Sequence, residues 1–322
     1  MKNRILVLGA GGFIGRRVID DLARDPSVTP VAATRGAHAA EFPRGVEMVT
    51  LDATNAVDLA RTLENAAGVV NCVAGSMRSI VDGARALAAA ARSRERSLRI
   101  VHLSSLAVYG TATGIVDESS TLLGDLDEYS GAKVTAESAL GGLASLVTLR
   151  PGIVYGPGSP LWSVYIGRLL AAGRLGNLGT DGEGICNLVF IDDVVRAIKR
   201  ALTYPGIEGG VFNLSGALAP TWNDYFRLYA LALGATPVRA VSKLRLAAEM
   251  RLISPALKIV EILANSKAQR LPPAIRPWLL ARCRHRIRMD VRRAEDTLKM
   301  AWQPLEIGLA ATAKWFRDGG RS

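Results

Sequence analysis

Cysteine and histidine are nearly missing from this 322-residue chain, which has three of each. Cys72, Cys186 and Cys283 are odd in number, widely spaced and without metal-ligand spacing. They exclude a disulfide framework and point to a reducing compartment. Three histidines argue against a histidine-based triad or a multi-histidine metal site, so no metal is expected. Long apolar runs are also lacking: no uncharged stretch approaches the roughly 18 residues needed to span a bilayer. The chain passes from Met-Lys-Asn-Arg straight into an apolar strand, which leaves no room for a signal peptide. A soluble, cytoplasmic protein is expected. With 49% hydrophobic residues, the chain can bury a full core as one large domain or two coupled ones.

Acids are scarce in one stretch. Between Arg239 and Arg293 stand 14 lysines and arginines against Glu249, Glu261 and Asp290. That local excess accounts for the whole net charge of +11. Such a stretch is either a basic solvated face or a surface for something anionic: a membrane, a pyrophosphate-bearing substrate or nucleic acid. Trp278 is its only aromatic residue, so it offers single-stranded nucleic acid no stacking platform. Nucleic acid is not expected as a partner.

Against these absences stands a regular alternation. Ile5–Leu8, Thr29–Thr34, Val46–Leu51, Gly68–Val73, Leu98–Ser104 and Leu146–Arg150 read as strands. Helical patterns lie between them near Gly12–Arg24, Val57–Asn65, Ser79–Arg92 and Ser130–Leu143. The expected fold class is α/β, a Rossmann-type doubly wound parallel sheet covered on both faces. Past Arg150 a strand-like Asn187–Ile191 leads into a helix capped by Asp192 or Asp193, and Val211–Leu214 forms a last short strand. From Trp222 the pattern is mostly helical, broken by Pro255, Pro272-Pro273, Pro277 and Pro304. The expected division is 1–155 with about 186–215 for the dinucleotide, and about 156–185 with 216–322 as a smaller substrate lobe over the carboxyl edge of the sheet.

Gly9-Ala10-Gly11-Gly12-Phe13-Ile14-Gly15 follows the first strand. Its glycines at 9, 12 and 15 suit a strand–helix turn that approaches a pyrophosphate closely, with the next helix aiming N–H groups at the phosphates. An acid after the second strand would accept from the ribose hydroxyls of NAD. None is present; Thr34-Arg35 stands there instead, with Arg16 and Arg17 just past the turn. A guanidinium suits a 2′-phosphate, so NADP(H) is favoured over NAD(H). Asp52 either accepts from the adenine amino group or caps the helix starting near Asn55. Ala53, Val73, Ala74 and Pro151 complete the expected cofactor contacts.

Tyr129-Ser130-Gly131-Ala132-Lys133 places a phenol and an ammonium at i and i+4 on one helix face. A tyrosine of ordinary pKa is a poor base at neutral pH; a neighbouring ammonium favours the phenolate and can also hold the nicotinamide ribose. A hydroxyl from the end of the fifth strand, Ser104 or Ser105, would bond the reacting oxygen. This trio moves a proton while a hydride moves.

These residues resemble the extended short-chain dehydrogenase/reductase superfamily, its NAD(P)-dependent epimerase/dehydratase branch. The likeness extends to Val101–Gly110, Leu149–Gly158, Val189–Val194, Gly210–Leu214 and Ala301–Leu305 with Trp315. The resemblance implies Tyr129 as acid/base, Lys133 as the group that lowers its pKa, and Ser105, four residues before Tyr109-Gly110, as the hydroxyl that polarises the carbonyl. Tyr109 and Tyr155 either touch substrate or pack the strand-end loops. Ser105-Leu106 replaces the Asp-Glu pair of the dehydratases, so dehydration is not expected. The basic helical insert is similar to the branch acting on sterols, other hydrophobic alcohols and lipid-linked sugars. It raises the prospect of docking on an anionic membrane with arginines toward the headgroups. Dimerisation through two helices per subunit is usual in the family. The leading expectation is an oxidoreductase interconverting a secondary alcohol and a ketone on a sugar nucleotide, lipid-linked sugar or sterol-like substrate. An NAD-dependent nucleotide-sugar 4-epimerase is the alternative, and a dinucleotide-binding sensor without turnover is a third.

Overall fold

The first strand, β1 (Asn3–Leu8), sends Ile5 and Val7 to one face and Leu6 and Leu8 to the other, and all four are buried. A strand apolar on both faces must lie between two layers. The computed structural model, which describes residues 2–36, 42–94, 97–242, 244, 245, 249, 251 and 273–320, places it so. Beside β1 run β2 (Val28–Thr34), β3 (Glu47–Thr50), β4 (Gly68–Asn71), β5 (Arg99–Leu103), β7 (Leu146–Pro151) and β10 (Val211–Leu214). They form a seven-stranded sheet in the order β10-β7-β5-β4-β1-β2-β3. Every ladder is parallel, and the order reverses between β1 and β4, where doubly wound sheets bind ligands. The expected fold class is the one observed.

Helices α1 (Phe13–Leu22) and α6 (Ile191–Thr203) cover one face. Helices α2 (Ala56–Leu63), α3 (Met77–Arg92) and α4 (Glu128–Leu140) cover the other. Asn55 caps α2 by accepting from the N–H groups of Val57 and Asp58. Asp52 does not cap that helix. It closes a local turn by accepting from the Thr54 N–H and hydroxyl, at 3.0 and 2.8 Å. The cap expected of Asp192 or Asp193 is not formed either. Phe190 is the residue before α6, so both acids lie in its first turn, where a carboxylate favours the helix dipole.

Two small parallel pairs flank the main sheet. Strand β9 (Leu188–Phe190) pairs with β8 (Ile153–Tyr155), and β11 (Ile287–Met289) pairs with β6 (Gly114–Val116). The latter pair lays the end of the chain along the loops that follow β5. The carboxy-terminal portion is helical, with α5 (Ile166–Ala171), α7 (Trp222–Leu233), α8 (Pro277–Cys283), α9 (Arg292–Thr297) and α10 (Leu305–Arg317). Trp162, Trp222, Trp278, Tyr225 and Phe226 pack there with ring centroids 5.4 to 6.3 Å apart. Pro255 and Pro272 lie outside the described residues. No described helix is long and apolar enough to cross a membrane.

Candidate active site

The glycine turn joins β1 to α1. Gly9 has φ +75°, and a Cβ on it would stand 2.9 Å from the Cys72 carbonyl oxygen. A Cβ on Gly15 would stand 2.3 Å from the Gly9 carbonyl oxygen. These two glycines are demanded by the protein's own packing. Gly11 is not: only the Thr34 methyl lies as near as 4.0 Å to a Cβ built there. Gly11 and Gly12 are exposed at the start of α1, with Phe13 and Ile14 half-buried behind them. Helix α1 has no side-chain cap and no acid in its first turn, so its positive end faces outward uncompensated. A dinucleotide pyrophosphate fits that cradle. The space kept clear at Gly11 is what a phosphate needs and the fold does not.

Just past β2, Arg35 is exposed, and its charge reaches Asp52. Arg17 is engaged elsewhere, its guanidinium 2.7 Å from Asp192 on α6. Ala53 is half-buried behind Asp52, and Val73 and Ala74 follow β4, with Ala74 exposed. Pro151 ends β7, paired with Leu214.

Helix α4 brings Tyr129 and Lys133 to the carboxyl ends of β4 and β5. Its first turn is fixed by a capping box in which Asp127 and Ser130 bond reciprocally. Lys133, 3% exposed, donates to the Leu103 carbonyl oxygen at 2.8 Å and reaches that of Val73 at 3.5 Å. Its ammonium lies 5.8 Å from the Tyr129 ring centroid. Burial pulls the Lys133 pKa down to about 8, with Cys72 and Glu137 acting against that pull. Burial pushes the Tyr129 phenol up; a hydrogen bond with the Ser105 hydroxyl and then the charge of Arg282 pull it down, and Asp127 raises it. Arg282 acts on the phenol from α8, a source the sequence reading missed.

Ser105 follows β5 and caps a 3₁₀ turn, Leu106–Tyr109, by accepting from the Ala107 N–H at 3.1 Å. Structure therefore brings Ser105, Tyr129 and Lys133 together. The neighbouring Ser104 hydroxyl is buried with no protein partner. A buried polar atom without a partner at this edge suits a bound polar ligand.

Tyr109 and Tyr155 do not line this site. Tyr109 is fully buried; its hydroxyl donates to Asn213 Oδ1 at 2.6 Å and accepts from Arg150 at 3.0 Å. Tyr155 is 2% exposed against Phe190, and its hydroxyl stands 2.2 Å from where a Gly308 Cβ would be. Both are packing residues, the second of the two readings left open for them. The Arg150 guanidinium is bidentate to Glu137, at 3.0 and 2.7 Å. Glu137 lies four residues beyond Lys133 on the same helix face, a spacing that would have revealed it in the sequence.

Under Lys133 lies a second buried pair. Asn71 accepts from the Val73 N–H at 3.1 Å, and its amide nitrogen is 3.2 Å from His102 Nδ1. The amide then donates to Nδ1, which leaves the His102 proton on Nε2. Burial and the Lys133 charge hold His102 neutral. Among the described residues no three His, Cys, Asp or Glu side chains could hold a metal ion.

Several described arginines of the basic stretch have partners within the chain. Arg282 pairs with Asp127 and Arg284 with Asp181, at 2.7 and 3.1 Å. Arg245 donates to the Gly173 carbonyl oxygen, and Arg276 and Arg293 lie over Tyr165 and Phe212.

The sequence profile of the NAD dependent epimerase/dehydratase family matches residues 5–215. A UDP-glucose 4-epimerase of Mycolicibacterium smegmatis is 27% identical over 98% of this chain and 99% of its own. A Vibrio cholerae UDP-glucose 4-epimerase is 26% identical over 72% of this chain and 76% of its own. Among solved structures, a Thermotoga maritima UDP-glucose 4-epimerase with UDP-glucose matches with a TM-score of 0.75. It is 21% identical and covered over 99% of this chain and 100% of that one. A Bacillus cereus UDP-glucuronic acid 4-epimerase in complex with NAD gives a TM-score of 0.75 at 19% identity, over 99% and 100%.

Proposed function

The chain belongs to the NAD dependent epimerase/dehydratase family, and from that premise we propose that it is a nucleotide-sugar 4-epimerase with a resident nicotinamide dinucleotide. One observation carries the reading: Tyr129, Ser105 and Lys133 converge at the carboxyl ends of β4 and β5. Full-length likeness to UDP-glucose 4-epimerases supports it over net reduction. Residues 1–155 with about 186–215 hold the dinucleotide, and about 156–185 with 216–322 hold the sugar nucleotide.

Bound at the glycine cradle, the nicotinamide supplies an acceptor and donor of hydride. The protein's part is the proton. Tyr129, as phenolate, takes the proton of the sugar C4 hydroxyl while the Ser105 hydroxyl donates to the same oxygen. Once the ketone has presented its other face, Tyr129 returns that proton and the inverted alcohol forms. Lys133 has three donors and makes two contacts with strand-end carbonyls, which leaves one N–H for the ribose and its charge for the phenolate.

Arg35 favours a second reading, an NADP(H)-dependent reductase, because it stands where NAD-binding folds carry an acid. Purified protein incubated with UDP-glucose separates the two. The epimerase interconverts the C4 epimers with no net change in cofactor and releases NAD on denaturation. Stoichiometric reduction of added NADP+ to NADPH, without epimer formation, would replace this reading by the second.

A further inference from the structure

Helix α8 is firmly seated. Leu279, Leu280 and Cys283 are buried, and the Cys283 and His285 carbonyl oxygens each accept from 184–185 backbone N–H groups at 2.9 Å. From that base Arg282 crosses to the start of α4, where one of its nitrogens is 2.7 Å from Asp127 Oδ2. The other oxygen of Asp127 already accepts from the Ser130 N–H at 2.8 Å. One carboxylate thus caps the tyrosine-bearing helix and grips an arginine 155 residues away. The pair is partly exposed, at 21% and 43%. Exposed pairs of this kind contribute little to stability.

We propose that Arg282 is a positioning residue of the active site: it locks the carboxy-terminal portion onto the cap of α4 and holds a positive charge at Asp127, two residues before Tyr129. This rests on the reading of Tyr129 as the acid/base. Around that phenol stand Lys133 and Asp127 on its own helix, Arg282 from α8 and the uncharged Ser105 hydroxyl from the end of β5. Of the ion pair, Arg282 acts on Tyr129 more strongly than Asp127 does, and with opposite sign. The pair therefore favours the phenolate overall. Its strength grows when substrate displaces water from the site, because the local dielectric falls. The protonation of the acid/base becomes coupled to the seating of the portion proposed to bind the sugar nucleotide.

The two halves of the ion pair make opposite predictions. Arg282→Ala removes the cation and moves the ascending limb of the kcat/KM–pH profile with UDP-glucose to higher pH. Activity below the limb falls about three- to tenfold, each pH unit being a factor of ten there, and the loss shrinks as pH rises. Asp127→Asn keeps a good helix cap, removes the anion and moves the limb to lower pH. Arg282→Lys restores most of the wild-type profile. The same opposed shifts are read without substrate by ultraviolet titration of each variant against its Tyr129→Phe counterpart. A merely structural ion pair would give shifts of the same sign in both variants or none. That result, with Tyr129→Phe inactive, overturns the role of Arg282 and leaves the epimerase reading standing. Turnover retained by Tyr129→Phe overturns the assignment of Tyr129 and this inference with it.

Discussion

At the scale of single residues, Lys133 is an ammonium held in the interior at a cost in stability. Its pKa of about 8 in the folded protein lies below the roughly 10.4 of an exposed lysine. Between these values the unfolded chain binds more protons than the folded one, so unfolding free energy rises with pH across that window. Below about pH 8 the charged form is buried and the penalty is complete. For cofactor-free protein, thermal melts of wild type and Lys133→Met should therefore differ in pH dependence. The wild type gains stability relative to the variant from pH 8 to 10, and parallel curves would contradict this. On the proposed reading, proton transfer needs this lysine, a trade of stability for function. Tyr109 shows the limit of reading residues singly. Its place after β5 suits a substrate contact, yet its hydroxyl is spent on Asn213 and Arg150, partners about 100 and 40 residues away in the sequence.

At the scale of elements, the glycine turn separates packing from binding. Gly15→Ala forces a Cβ into the Gly9 carbonyl and should destabilise by about 1–3 kcal/mol, as overpacked sites do, with loss of dinucleotide binding. Gly11→Ala meets nothing closer than 4.0 Å and should leave the melting temperature unchanged while weakening the dinucleotide by tenfold or more. Melting curves and fluorescence titration with reduced dinucleotide check both. Equal loss of stability in the two variants would remove the basis for placing the pyrophosphate at Gly11. The strands and helices of the first 150 residues were legible because their apolar patterns, short continuous runs for strands buried on both faces and a period of 3.6 for helices, are local properties. The cap of α6 was not. Asp192 and Asp193 are both good cap residues, and only the path of β9 into the helix makes Phe190 its boundary.

At the scale of the whole molecule, the basic stretch 239–293 reads in sequence as a surface for anions. In the fold, its arginines 245, 276, 282, 284 and 293 reach carbonyls, carboxylates and aromatic rings of the same chain. Two of these five meet carboxylates, and the other three meet a carbonyl or a ring, so each already has a partner within the chain. Sedimentation with vesicles of anionic lipid should recover the protein in the supernatant as fully as without them, and depletion at low salt that salt reverses would restore the membrane reading. Full-length likeness to a UDP-glucose 4-epimerase supports epimerisation as the proposed activity. Reduction of an alcohol–ketone pair came first in the sequence and epimerisation second, because the same trio serves both and the motifs fix only the half-reaction they share.

By itself the sequence determined the doubly wound sheet, the glycine turn and the Tyr129–Lys133 pair, since each depends on residues near one another along the chain. Tertiary structure alone decided that Tyr109 and Tyr155 are packing, that Glu137 and Arg150 brace the tyrosine-bearing helix, and that Arg282 stands at its start. Those outcomes depend on which distant segments share a small volume, and charge or exposure there is set by neighbours that local pattern does not encode.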